Sequence, residues 1–314
     1  MPELPPVLML FTGGTISMKI VPGRGAVPAR SGQEILDQVP RLASLARITC
    51  EDFDRLPGPH WSPERMFELA RHLDGRLQGD AFVGAVVTHG TDTLEETAYL
   101  LDLVLRTDRP VVLTGAMKTA DDQGWDGPGN LIAAVGAVTA FPDAAFGVGV
   151  MMAGTLHAAR KVSKSHTDAF TAFTSADDGP PLRERIETDR LDARVDLITA
   201  AAGADAKFLR HAVATGARGI VLQALGQGNV PPAMLDGVRE AVAADVVVVV
   251  ASRCAKGPTA PHYGYPGGGV TLANAGAIFS GGLPAPKARI KLMVLLGAGF
   301  SSEAIRASFE RPGS

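Results

Sequence analysis

The feature that most constrains this chain is a recurrence of short, unbroken apolar and β-branched runs, at residues 7–11, 83–88, 111–114, 147–151, 197–201, 219–222 and 246–251. They lack the alternation of a strand with one wet face, and so read as strands of parallel sheets covered on both sides. Amphipathic stretches with readable starts lie between them. Ser31 followed by Glu34 spells a capping box, and Ser62 followed by Pro63 puts proline at a first helical position. Residues 93–106 carry Leu94, Thr97, Leu101 and Leu105 on one face, with Glu95 and Glu96 where a helix start favours negative charge. The alternation predicts an α/β fold with mostly parallel sheets, whose ligands sit just beyond the carboxyl ends of the strands.

A length of 314 residues suits about two domains. Residues 175–196 are polar and charged and are interrupted by Pro180-Pro181, the character of an interdomain connection. The expected organisation is residues 1–180, a linker over 181–195, and residues 196–314.

Charge narrows the partners. A formal net charge of −3 offers no basic surface for a sequence-independent grip on nucleic acid, so a small molecule is the expected ligand. No apolar run approaches the ~18 residues of a membrane span. The start of the chain shows no basic n-region, which predicts a cytoplasmic rather than a secreted protein. Cys50 and Cys254 stand far apart without CxxC spacing, so neither a disulfide nor a metal is expected.

The chemistry is expected on two turns. The first strand ends in Thr12-Gly13-Gly14-Thr15-Ile16, where paired glycines permit a sharp turn and Thr15 offers a hydroxyl. It has neither the lysine nor the spacing of a phosphate loop. The second strand ends in Thr88-His89-Gly90-Thr91-Asp92-Thr93 and runs straight into a helix, setting a hydroxyl and a carboxylate beside backbone donors able to hold an oxyanion. Asp92 or Thr93 is also expected to cap that helix. His60, His89 and His166 read as turn or supporting hydrogen bonders, because no GxSxG nucleophile elbow accompanies them.

Taken together, TGGTI near the N-terminus and HGTDTLEETAYLLDL at residues 89–103 resemble the bacterial L-asparaginases. The resemblance continues through Thr114-Gly115-Ala116-Met117-Lys118, Asp126-Gly127-Pro128 with Asn130, Ser163-Lys164-Ser165-His166 leading to Phe170 and Phe173, Gly226-Gln227-Gly228-Asn229 and Pro286-Lys287-Ala288-Arg289. It implies a larger N-terminal and a smaller C-terminal α/β domain, and a homo-oligomer, dimer or tetramer, with active sites shared between subunits. No cofactor or metal is implied. The implied activity is hydrolysis of L-asparagine to L-aspartate and ammonia through a threonine acyl-enzyme.

Carried over by position, Thr15 is the implied nucleophile. Thr91, Asp92 and Lys164 form a second group that moves protons and activates water. Gly14, Gly58, Pro59, Gly90, Asp92 and Ala116 would meet the substrate, and Asn229 would support the site from a partner subunit. An alcohol attacking an amide needs such help, since the one is a poor nucleophile and the other a poor electrophile. A lysine at its ordinary pKa of about 10.4 is an ammonium ion at neutral pH, so Lys164 is read as proton relay or charge stabiliser rather than free base.

Three positions depart from the family's pattern. Residues 17–30 contain no tyrosine where the family's N-terminal loop usually supplies one, and Ala26 stands about there. Gly58 replaces the serine that usually meets the substrate's α-carboxylate. Over residues 255–269 the acidic residue that some relatives lend across the interface has no counterpart, although Tyr263 and Tyr265 lie there. The alternatives are therefore a weak or substrate-shifted amidohydrolase acting on glutamine, D-asparagine or another amide, a non-catalytic amino-acid-binding homologue, and the asparaginase-like component of a tRNA amidotransferase. Against the last stand the lack of a basic patch and of an added N-terminal domain.

Overall fold

The computed structural model describes residues 3–140, 147–175 and 183–311. The chain divides into two units, Met1–Arg185 and Ile186–Ser314. In chain order the first holds β1 (Pro6–Gly13), β2 (Met18–Val21), β3 (Gly25–Pro28), α1 (Gly32–Leu36), β4 (Arg47–Leu56), α2 (Pro63–Arg76), β5 (Gly84–Thr88), α3 (Leu94–Val104), β6 (Val111–Thr114), α4 (Gly127–Ala140), β7 (Val148–Met152), β8 (Thr155–Ala158), β9 (Val162–Lys164) and β10 (Phe173–Ser175).

Its main sheet has the order β4-β1-β5-β6-β7-β8, parallel except for the antiparallel β7–β8 pair. From β1 the chain runs to β4 on one side, then returns to β5 on the other. This reversal between β1 and β5 is the point where open α/β sheets leave a crevice for a ligand. Val7, Met9 and Phe11 share a core with Val86, Val112 and the α4 residues Leu131, Val135 and Val138. The intervening Leu8 and Leu10 are equally buried. Both faces of the central strands are covered, which is why the runs in the sequence do not alternate.

Ser31 caps α1 with both bonds of the capping box, its hydroxyl accepting from the Glu34 N–H while Glu34 accepts from the Ser31 N–H. Ser62 caps α2, accepting from the Arg65 N–H. Ser31→Ala is expected to lower the stability of the N-terminal unit by about 1 kcal/mol without changing activity. A urea midpoint equal to that of the wild type would show the cap to be dispensable.

The second unit holds β11 (Val195–Thr199), α5 (Lys207–Ala214), β12 (Gly219–Ala224), α6 (Leu235–Ala243), β13 (Val247–Ser252), α7 (Gly269–Asn274), β14 (Ile278–Phe279), α8 (Ala285–Gly297) and α9 (Ser302–Phe309). Its sheet, β11-β12-β13-β14, is parallel throughout. Ile220, Leu222, Val248 and Val250 form its core with Leu209 and Val238 of the covering helices. The Pro286-Lys287-Ala288-Arg289 motif opens α8, where Arg289 Nε donates to the Val195 carbonyl at 2.8 Å and pins the helix to β11.

Of the expected connection at 181–195, residues 181 and 182 lie outside the described residues, as does the Pro180-Pro181 pair. Arg183 and Arg185 bond back to the Leu105 and Thr107 carbonyls of the N-terminal unit. Asp192 donates its N–H to the Met293 carbonyl of the C-terminal unit at 3.1 Å. No helix among the described residues is long and apolar enough to cross a membrane.

Candidate active site

The two threonine turns meet at the carboxyl ends of β1 and β5. Thr12 Oγ1 donates to the Thr88 carbonyl at 2.6 Å and the Thr12 N–H donates to Thr88 Oγ1 at 3.3 Å, both wholly buried. The Gly14 N–H donates to the Leu56 carbonyl at 2.9 Å, which brings the end of β4 to the same place. The backbones then touch with no side chain between them. Gly14 has φ +77°, and a Cβ there would lie 2.5 Å from the Gly90 nitrogen; a Cβ on Gly90 would lie 2.5 Å from the Gly58 nitrogen. Glycine is required at both positions, by left-handed geometry at the first and by close approach at both. Gly58 in turn faces Asp92, whose Cβ would be 3.2 Å from a Cβ added at 58.

Thr15 follows Gly14 in a single 3-10 turn, half-buried, and its hydroxyl has no hydrogen-bond partner among the described residues. Thr91 is buried and Asp92 exposed. Lys164, the last residue of β9, reaches both: its Nζ donates to Thr91 Oγ1 at 3.0 Å and to Asp92 Oδ1 at 2.7 Å. A threonine oxygen that accepts from an ammonium group keeps its own proton free to donate. The Gly90 and Thr91 N–H groups, just before α3, have no acceptor among the described residues. Such orphan donors at a helix start suit an oxyanion.

The helix is not capped as expected. Thr93 sits at the cap position of α3 but makes no capping bond; its hydroxyl donates instead to the Gly58 carbonyl at 2.8 Å. The hydroxyl that would have served the helix holds the glycine turns together.

His89 is wholly buried, with Nδ1 2.8 Å from the Gly90 carbonyl and Nε2 3.0 Å from Thr97 Oγ1. Burial lowers its pKa to about 4, opposed by the bond to Gly90. It is therefore neutral at pH 7 with both ring nitrogens engaged, and offers no free base. The Trp61 ring lies across it, the centroids 4.5 Å apart. His166 Nδ1 faces the Asp168 and Ala169 N–H groups, a local turn, and His60 is exposed.

Ala116, fully buried after β6, is held by residues to which the sequence alone assigns no task. Asp126 accepts from the Met117 and Lys118 N–H groups, and the Asn130 amide donates to Asp126 and to the Gly115 carbonyl, all at 3.0 Å. Asp126-Gly127-Pro128 with Asn130 is visible in the sequence as a motif. Its task of fixing the 115–118 turn is not, because it depends on a loop folding back onto its own helix start.

Of the expected site residues, Gly14, Gly58, Gly90, Thr91, Asp92 and Lys164 are joined by direct contacts, with Thr15 and Pro59 adjoining and Ala116 next to Gly115. Asn229 belongs to the C-terminal unit, where its Oδ1 accepts from the Gly269 N–H at 3.1 Å. Ala26 is exposed on β3, paired with Ile20 of β2. Asp121 anchors that hairpin by accepting from the Ile20 N–H and from Arg30, both at 2.7 Å.

The sequence also matches known proteins. Residues 6–197 match the asparaginase N-terminal family model, and residues 194–309 match the glutaminase/asparaginase C-terminal domain. The chain is 40% identical to a probable L-asparaginase of Deinococcus radiodurans, covering 98% of both chains. It is 32% identical to a probable periplasmic L-asparaginase of Haemophilus influenzae, covering 98% of this chain and 93% of the relative. It is also 33% identical to a component of the glutamyl-tRNA(Gln) amidotransferase of Archaeoglobus fulgidus, covering 94% of this chain and 75% of the relative.

Proposed function

Because the chain belongs to the asparaginase family, whose N- and C-terminal models together span most of its length, we propose that it hydrolyses L-asparagine to L-aspartate and ammonia, with Thr15 as the nucleophile. The observation that carries this reading is Lys164 bridging Thr91 and Asp92 beside the Gly14–Gly90 contact. Thr15 Oγ1 attacks the side-chain amide carbon, and the carbonyl oxygen gathers charge toward the orphan N–H groups at the start of α3. The proton of Thr15 ends on the departing nitrogen, ammonia leaves, and an ester joins Thr15 to the aspartyl group. Water, oriented by the Thr91 hydroxyl that Lys164 holds, then attacks that ester; its proton ends on the Thr15 oxygen as the ester bond breaks, and the Lys164 ammonium offsets the charge that develops. Asp92 fixes the lysine and, being exposed, is open to the substrate's α-ammonium group.

Ammonia release measured across L-asparagine, D-asparagine, L-glutamine and short asparaginyl peptides tests the reading. The largest kcat/KM is expected for L-asparagine. Preference for another amide moves the assignment to that substrate, and no release from any of them favours a binding protein. The relative that is part of an amidotransferase keeps a second reading open, in which the ammonia is passed on to charged tRNA. Full activity on free asparagine without a partner chain excludes it.

Shared sites in a homo-oligomer belong to the same proposal, with Asn229 contributed by a second copy. An active monomer at high dilution rules this out. A cytoplasmic location is proposed as well, supported by the free thiols of Cys50 and Cys254. One relative is named as periplasmic, so cell fractionation decides.

Gly58 allows a sharper test. A serine there would offer its hydroxyl to the α-carboxylate, but any Cβ at 58 crowds Asp92 at 3.2 Å. Gly58→Ala is therefore expected to raise KM for L-asparagine several-fold by displacing Asp92. Gly58→Ser adds a hydrogen bond to a charged group, worth about 1.5 kcal/mol or roughly tenfold, and its KM should fall below that of the alanine variant by that factor. Equal KM values in the two variants would show that position 58 does not face the carboxylate.

A further inference from the structure

The Gly90 carbonyl points at His89 Nδ1 from 2.8 Å. A carbonyl oxygen can only accept, so Nδ1 must carry the hydrogen. Nε2 is then the bare nitrogen, and accepts the Thr97 hydroxyl at 3.0 Å. The Gly90–Thr91 peptide is planar and no cis bond occurs among the described residues, so its carbonyl and the Thr91 N–H point in opposite directions. Whatever fixes the carbonyl also aims that N–H. The Thr91 N–H belongs to a buried residue and has no acceptor among the described residues, the condition of a donor reserved for a ligand.

We propose that His89 is a positioning residue: as a neutral imidazole carrying its hydrogen on Nδ1, it locks the Gly90–Thr91 peptide so that the Thr91 N–H faces the substrate's reacting carbonyl. The inference rests on the amidohydrolase reading. The surroundings explain why a ring serves here. The Trp61 face closes one side of the imidazole at 4.5 Å. Thr97, one turn into α3, holds the far nitrogen, so the peptide is braced against the body of the helix. Both bonds are shielded from water, where their geometry is not shared with solvent.

Two substitutions separate this role from simple packing. Asparagine places an amide N–H near the position of Nδ1, and glutamine reaches instead to the position of Nε2. If His89 acts through the Gly90 carbonyl, His89→Asn keeps kcat within about threefold of wild type. His89→Gln then loses about a hundredfold, the scale of a misplaced oxyanion donor, with KM little changed. A packing role gives the opposite order, because glutamine fills more of the imidazole's volume. Equal kcat in the two variants, or glutamine the better, overturns the proposal.

The second measurement needs neither variant nor turnover. In the wild-type protein labelled with nitrogen-15 in histidine, the His89 resonances should show a protonated Nδ1 and an unprotonated Nε2 at pH 7. The reverse tautomer overturns the proposal. If the wild type releases no ammonia from any amide, it is the functional reading that fails, and the tautomer alone then decides whether His89 holds the peptide.

Discussion

Thr15→Ala and Thr91→Val are each expected to remove more than nine-tenths of the amide turnover while leaving the fold intact. Neither takes volume from a core. Thr15 is half-buried with an unpartnered hydroxyl, and valine at 91 keeps the shape of threonine. Losing a general acid or base typically lowers a rate by about 10²–10⁴-fold, and losing a nucleophile ends the covalent route altogether. The two variants should differ in what remains. Thr15→Ala cannot form an ester, so rapid mixing with substrate should show no burst of ammonia. Thr91→Val strands the Lys164 ammonium without its 3.0 Å acceptor but leaves the 2.7 Å bond to Asp92, so any residual activity should pass through the ester. Circular dichroism and unfolding midpoints matching wild type would confirm that folding is not the cause. A tenth of wild-type turnover in either variant would remove that residue from the mechanism.

The second large effect concerns acid. His89 is wholly buried with a pKa lowered to about 4. In the unfolded chain a histidine titrates near 6.5. Between these values the unfolded chain binds a proton that the folded protein refuses, so stability falls as the pH is lowered from about 6.5 to about 4. Above that window the ring is neutral in both states, and below it the ring is charged in both. The loss is about 1.4 kcal/mol per pH unit across the window, on the order of 3 kcal/mol in all. Carboxylates also titrate near its lower end, so the comparison is with His89→Asn, which cannot take up the proton. Urea unfolding at pH 7, 5.5 and 4 should show the wild type losing about 3 kcal/mol more than the variant. Parallel losses would mean that His89 takes up its proton in the folded protein as readily as in the unfolded chain.

The sheet architecture was legible because the central strands are buried on both faces, and burial writes itself into unbroken runs such as residues 84–88 and 111–114. Edge elements were not. β4 carries Glu51, Asp52, Asp54 and Arg55 among its ten residues and is at best half-buried, so nothing in its pattern separates it from a loop. The β2–β3 hairpin is stapled from outside by Asp121, a long-range contact that local pattern cannot announce. The same division holds at the site. Both threonine turns could be found from the sequence, since each ends an apolar strand run and the two together resemble a known family's pattern. The diversion of Thr93 from its helix cap to the Gly58 carbonyl could not, because it exists only once three loops have met.

That meeting has a kinetic consequence. Gly14, Gly58 and Gly90 lie tens of residues apart in sequence and touch as bare backbone only when β4, β1 and β5 are in register. Such distant closures come late in folding. No partly folded form of the N-terminal unit can then hold a substrate, and whatever occupies the crevice binds the completed fold alone. Product at a hundred times its dissociation constant would add about 2.7 kcal/mol to global stability, and would protect the chain from proteases that cut only unfolded protein. The enzyme's lifetime in a cell would thus rise with the concentration of the molecules it handles.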